Sequence, residues 1–385
     1  MKVACEKKIL EEAVQVASRA INSRSPLPIL SHILMEAHGD RMVFTATDLD
    51  LGVQIRLPAQ VEVEGALTCP AKLLQEIVTR LQAGLVHLEL IREGQLMLKC
   101  GSSQFELSTL PAEEFPTLPS AEDAPEFELP QATIREMIRQ VAVASASPNE
   151  EARAVMTGIL TQVEAERLTM VATDGRRLAC MREPLENQGG RDAKVIIPAR
   201  ALQELTRILG DEQTVVLARI AQGQVFFTVN DVSLHCRLLE GNFPDYKKVV
   251  PTEFQRSCRI GRETFLSALK RMLIMAQEKR SPNLIKLEFE SDHLWLSANT
   301  PDLGSGREQV DIVYQGDPLL IAFNGRYLVD VLNVLECEEV QFDLQEETRS
   351  AVLKPFGSEA YDYVVMPVKL REPVTESGER VAVGA

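Results

Sequence analysis

The chain repeats itself at a lag of 126 residues. Ala46-Thr47-Asp48, Ala172-Thr173-Asp174 and Ala298-Asn299-Thr300 sit at that constant spacing. Each follows a strand-like run: Met42-Val43-Phe44, Leu168-Thr169-Met170-Val171 and Leu294-Trp295-Leu296. About twenty residues on, a second block recurs as Leu67-Thr68-Cys69-Pro70-Ala71-Lys72, Val195-Ile196-Ile197-Pro198-Ala199-Arg200 and Leu320-Ile321-Ala322-Phe323-Asn324-Gly325-Arg326. A third echo pairs Glu114-Phe115-Pro116 with Asn242-Phe243-Pro244, 128 residues apart. Short solenoid periods are absent. Three echoes in one order at nearly one lag predict three similar domains in tandem.

The breaks fall at the Pro-rich acidic stretch 117–127 and near Pro251-Thr252-Glu253, which gives domains 1–120, 127–250 and 251–370. Within each copy, apolar residues at helical spacing predict two helices. The opening helices carry Ile9, Leu10, Ala13, Val14 and Ala17; Ile134, Met137, Ile138 and Val141; and Phe265, Leu266, Leu269, Met272 and Leu273. Alternating runs such as Val86-His87-Leu88-Glu89-Leu90, with turns such as Glu93-Gly94, predict strands between and after them. The expected class is α+β, with sheets on one side of each copy and helices on the other.

Charge needs a finer reading than its total. The 385 residues carry a net −15, which alone argues against a nucleic-acid partner. Yet the six predicted helices (7–24, 71–81, 131–145, 199–209, 262–280 and 325–335) hold 16 Lys and Arg against 8 Asp and Glu. They are therefore +8 and the remainder −23. Arg200, Gln203 and Arg207 recur at i, i+3 and i+7, opposite the apolar stripe, and Arg135 and Arg139 at i and i+4. Such faces suit phosphates, although basic residues on a solvated helix are the plainer reading. Seven scattered cysteines, with no C-x-x-C pair, read as reduced thiols. No signal peptide or membrane-spanning run is visible, so the expected compartment is the cytoplasm, with no membrane partner.

No catalytic constellation emerges. The five histidines lack metal-ligand spacing, and there is no G-x-S-x-G, P-loop or G-x-G-x-x-G, so no metal and no cofactor is expected. Asp48, Asp50 and Asp174 could serve metal-assisted hydrolysis, but an Asp after Thr at a strand end more often caps a turn.

Four segments, Ser25-Pro26-Leu27-Pro28-Ile29-Leu30, Val171-Ala172-Thr173-Asp174-Gly175-Arg176-Arg177-Leu178-Ala179, Gly241-Asn242-Phe243-Pro244-Asp245-Tyr246 and Tyr363-Val364-Val365-Met366-Pro367-Val368-Lys369-Leu370, carry a family resemblance. Over residues 1 to about 370 the chain resembles the bacterial DNA polymerase III beta subunit, the replicative sliding clamp. The resemblance implies a non-catalytic processivity factor with the DNA clamp fold. It would be a head-to-tail homodimeric ring, with helices lining a central hole and sheets outside. Double-stranded DNA would thread the hole, touched at its phosphates without base readout. The implied protein partners are the DNA polymerase III alpha subunit, other polymerases and the clamp loader.

Taken with the charge pattern, it points to Arg24, Lys72, Arg135, Arg139, Arg200, Arg207, Lys279 and Arg280 as DNA-facing. It also implies an apolar pocket for short linear motifs of partners. That pocket comprises Met156, Thr173, Gly175, Arg176, Arg177, Leu178, Pro244, Lys248, Val249, Tyr327, Ser350, Val364, Met366, Pro367 and Val368. Ring closure would set Phe105 and Leu107 of one subunit against Ile274 and Met275 of the next.

This chain departs from the family pattern in three places. Arg176 stands where the family often has His, and charge complementarity across the subunit boundary is thin, with Asp302 and Glu308 flanking Gly304-Ser305-Gly306. Residues 371–385 extend past the usual end as a polar tail, expected to be disordered and inert, though it leaves from the pocket. Two other readings are a specialised clamp paralogue, such as one made beside an antibiotic that targets clamps, and a hydrolase built on the three aspartates.

Overall fold

The computed structural model describes all residues except 22–24, 122–123, 125, 148–153, 165, 186–191, 211–213, 277–282, 302 and 371–385. Arg24, Lys279, Arg280, Asp302 and the tail therefore lie outside the described residues. Two compact units hold the chain. The first comprises Met1–Ile138, Gly158–Leu168 and Glu183–Gly241; the second comprises Arg139–Thr157, Thr169–Arg182 and everything from Asn242.

A strand-then-helix step occurs six times, twice per repeat. Helix α1 (Lys7–Ala17) follows the strand Lys2–Glu6, and α2 (Ala71–Arg80) follows Gly65–Pro70. Likewise α3 (Gln131–Val141) follows Glu126–Pro130, and α4 (Ala199–Ile208) follows Ala193–Pro198. Finally α5 (Arg262–Met275) follows Arg256–Gly261, and α6 (Gly325–Val334) follows Leu319–Asn324. Pro70 and Pro198 hold φ at −55° and −50° where strand becomes helix. In the third copy Asn324 takes their place, and its side chain accepts the N–H of Arg326 at 3.0 Å.

The periodic residues face inward: Leu10, Ala13, Val14 and Ala17 of α1 are buried, as are Phe265, Leu266, Ala268, Leu269 and Met272 of α5. Three opening helices stop short of their predicted ends. At Ala17 the Ser18 hydroxyl donates to the Val14 carbonyl at 2.6 Å, and residues 18–20 tighten into a 3-10 turn. Helix α3 ends at Val141 in a similar turn, Ala142–Ala144. Helix α5 ends at Met275, whose carbonyl accepts the Thr300 hydroxyl at 2.6 Å.

The first unit contains a five-stranded sheet in the order Gln60–Val63, Lys2–Glu6, Leu85–Arg92, Gln95–Cys100 and Ser103–Ser108. Its eight-stranded sheet joins two repeats where Val232–Arg237 pairs antiparallel with Leu51–Pro58, His235 opposite Gly52. The His235 ring stacks on Phe226 at 5.6 Å and lies over Gly52, where a Cβ would sit 2.0 Å from it. Glycine is required there by space. Burial pushes the His235 pKa down to about 4.

In the second unit Arg177–Pro184, Tyr361–Val365, Ala351–Pro355, Glu339–Leu344, Arg256–Gly261 and Val313–Gln315 lie side by side. A four-stranded sheet runs Gly304–Asp311, His293–Thr300, Leu284–Phe289 and Leu319–Asn324. Phe342 is the hub of the core, with ring centroids 5.6 Å from Phe323, 6.0 Å from Phe289 and 6.4 Å from Phe265. Truncating so central an aromatic costs about 3–5 kcal/mol.

Candidate functional site

The Thr-Asp pairs of the first two repeats build the same turn. Thr47 Oγ1 donates to the Leu51 carbonyl at 3.0 Å, and Asp48 Oδ1 accepts the N–H groups of Asp50 and Leu51 at 3.1 and 2.8 Å. Thr173 Oγ1 donates to the Arg177 carbonyl at 2.7 Å, and Asp174 Oδ1 accepts from Arg176 and Arg177 at 2.8 and 3.0 Å. The second carboxylate oxygen takes an arginine each time: Arg200 at 2.7 Å from Asp48, and Arg177 Nε at 3.0 Å from Asp174. Both carboxylates thus cap a turn and hold an arginine, the structural role that an Asp after Thr at a strand end commonly takes. The residue after each Asp has positive φ, Leu49 at 80° and Gly175 at 86°.

The second of these turns walls a cavity of about 110 Å³ lined by Met156, Thr173, Gly175, Arg176, Arg177, Leu178, Pro244, Val249, Val364 and Met366. The lining is mostly apolar, and Val249 and Met366 stand 42% and 45% exposed at its mouth. The Met366 N–H donates to the Arg176 carbonyl at 2.9 Å, which ties the end of the Tyr361–Val365 strand to the turn. Val368 N–H donates to the Ala322 carbonyl at 2.8 Å. Five residues expected at this site do not line the cavity. Lys248 is exposed and paired with Asp245 at 2.9 Å; Tyr327, Ser350, Pro367 and Val368 are half-buried.

A polar cluster surrounds the Arg177 guanidinium. Arg177 Nη1 donates to Asp330 Oδ2 on α6 at 2.7 Å and to the Tyr363 hydroxyl at 3.4 Å. Its guanidinium lies 4.3 Å from the centroid of the Tyr327 ring, and Tyr363 OH donates to the Tyr327 carbonyl at 2.9 Å. Burial alone would disfavour the charge. Tyr363, Asp330 and Asp174 more than offset it and hold the Arg177 pKa above its ordinary value. Burial raises the pKa of Tyr363, so it is a neutral hydroxyl near pH 7. Sequence reasoning missed Asp330 and Tyr363. The available signal was Asp330 as the single acid in the apolar run 325–335.

The basic residues expected to face DNA each have a described setting where they are described at all. Lys72 is exposed near the start of α2. Arg200 bonds Asp48, and Arg207 bonds Glu204 at 2.5 Å on its own helix. Arg135 donates to the carbonyls of Leu209 and Gly210, and Arg139 pairs with Glu336 at 2.5 Å. Of the expected subunit-boundary residues, Ile274 is 64% and Phe105 37% exposed, Met275 half-buried and Leu107 buried in its own core. All seven cysteines are free. Among the described residues no helix is long and apolar enough to cross a membrane.

Three family models match in order: the N-terminal domain of the DNA polymerase III beta subunit over residues 1–119, the central domain over 128–245 and the C-terminal domain over 247–369. The chain belongs to the DNA polymerase III beta subunit family. Three tandem domains of this family account for the repeat. A Synechococcus elongatus protein named beta sliding clamp is 35% identical over 380 residues, covering 96% of this chain and 100% of its own. The Escherichia coli beta sliding clamp is 32% identical over 372 residues, with the same coverage. The solved DNA polymerase sliding clamp of Bacillus subtilis superposes with a TM-score of 0.92 at 30% identity, over 96% of this chain and 100% of that one. Membership of the beta subunit family makes the chain a non-catalytic processivity factor.

Proposed function

We propose that the protein is the DNA sliding clamp of its replication machinery. Two subunits close head to tail into a ring around duplex DNA and tether the DNA polymerase III alpha subunit and other polymerases, after loading by the clamp loader. The observation that carries this reading is the end-to-end match of all three beta subunit domains, with nothing of the solved relatives left uncovered. The domains run 1–120, 127–250 and 251–370, and the protein works in the cytoplasm. The basic helix faces touch phosphates only, so no base pair holds the ring in place.

The cavity at Leu178, Val249, Val364 and Met366 captures the partners' linear motifs. Its support is chemical: apolar walls desolvate an anchoring side chain, and methionines at 156 and 366 adapt to more than one shape. Primer extension on a long single-stranded template tests the function. Adding the protein with its clamp loader lengthens the product of a single polymerase binding event. An unchanged product length contradicts the proposal.

A further inference from the structure

We propose that Asp330 and Tyr363 are positioning residues of the partner pocket, acting through Arg177 to keep its guanidinium from turning into a mostly apolar cavity. The inference rests on reading the cavity as the place where partner peptides bind.

Arg177 lines the cavity, yet its charged end is bonded to groups that do not. Four groups hold it there: Asp174 Oδ2 at 3.0 Å, Asp330 Oδ2 at 2.7 Å, the Tyr363 hydroxyl at 3.4 Å and the Tyr327 ring face at 4.3 Å. None of these four lines the cavity. The arrangement separates the two halves of one side chain. The carbon stem adds apolar wall, and the guanidinium is neutralised behind it.

Asp174 is committed to two backbone N–H groups as well as to Arg177. Asp330 is therefore the carboxylate assigned to Arg177 alone among the side-chain bonds described for it. Without Asp330 the guanidinium keeps one shared carboxylate, and its cheapest route to hydration is through the cavity mouth. A cation turned into the pocket must be desolvated again whenever an apolar anchor enters. The fold can stay intact while the site closes.

The test measures binding of a fluorescein-labelled clamp-binding peptide, taken from the same organism's replicative polymerase, to the full-length protein. Asp330→Asn keeps the volume and removes the charge, and it is expected to weaken binding about tenfold, just under the low end of what one charged hydrogen bond is worth. Tyr363→Phe is expected to weaken binding about threefold, since a neutral anchor is lost. The decisive arm is a double-mutant cycle on Arg177. With Arg177→Met already in place no guanidinium remains to turn, so adding Asp330→Asn is expected to shift affinity by less than about twofold from the Arg177→Met single variant, whatever that variant's own affinity.

A purely structural role for Asp330 predicts the same loss in both backgrounds. Wild-type affinity in Asp330→Asn, or an equal further loss when it is added to Arg177→Met, overturns the proposal. Met366→Ala separates the two layers. Unchanged affinity in that variant removes the pocket reading and this inference with it. Weakened binding there, beside an unaffected Asp330→Asn, removes the inference alone.

Discussion

Arg200 Nη1 lies 2.7 Å from Oδ2 of Asp48, whose side chain is 6% exposed, while its Oδ1 caps two backbone N–H groups. One carboxylate therefore closes a turn and orients a basic residue at the start of α4. Asp48→Ala is expected to cost about 2–3 kcal/mol, because the turn N–H groups and a guanidinium lose a charged acceptor together. Asp48→Asn keeps an acceptor for the turn and should cost about 1 kcal/mol. Urea unfolding of the two variants checks the order.

Met366 presents an exposed side chain at the cavity mouth while its backbone N–H is fixed to the Arg176 carbonyl. Met366→Ala should remove contact area without moving the strand end. Peptide affinity is expected to fall by about 1–2 kcal/mol, with the dimer unchanged. Fluorescence anisotropy with a polymerase peptide reads the first and sedimentation velocity the second.

Gly175 has φ of +86° with nothing within 4 Å of a hypothetical Cβ, so a side chain there meets strain but no steric block. Gly175→Ala is expected to lose about 1–2 kcal/mol of stability, and Gly175→Asn less, because Asn tolerates the left-handed region better. Thermal unfolding checks the difference, and peptide affinity should follow the same order because the turn walls the cavity.

His235 is buried against Phe226, and burial pushes its pKa to about 4, below that of an exposed histidine. The unfolded chain then binds a proton at higher pH than the folded one. Its contribution to stability is complete above about pH 6.5 and is lost as pH falls toward 4. His235→Phe removes the titrating group and should flatten the stability profile across that window. Urea unfolding between pH 4 and 7 measures it.

The repeat was legible because each copy needs the same apolar positions to close the same core. Leu10, Ala13, Val14 and Ala17 follow helical spacing in the sequence and are buried together in α1. Helix ends were harder to read, since α5 stops where the distant Thr300 hydroxyl reaches the Met275 carbonyl. The apolar pocket wall came from a recognisable motif around Thr173–Leu178. Its polar backing did not, because Arg177 and Asp330 are 153 residues apart and no local pattern marks an ion pair across that distance. Charge was legible only once assigned to elements: −15 overall conceals basic helices. Even then, a count of arginines could not foresee that Arg135, Arg139, Arg200 and Arg207 each hold an intramolecular partner.

The central claim is topological, and retention on DNA tests it most directly. The protein is loaded by its clamp loader onto a nicked circular plasmid, separated from free protein, and followed before and after the circle is cut once. A ring that encircles and slides stays on the circle and leaves the linear ends, so the bound fraction should collapse on cutting. Equal retention on circular and linear DNA contradicts the account.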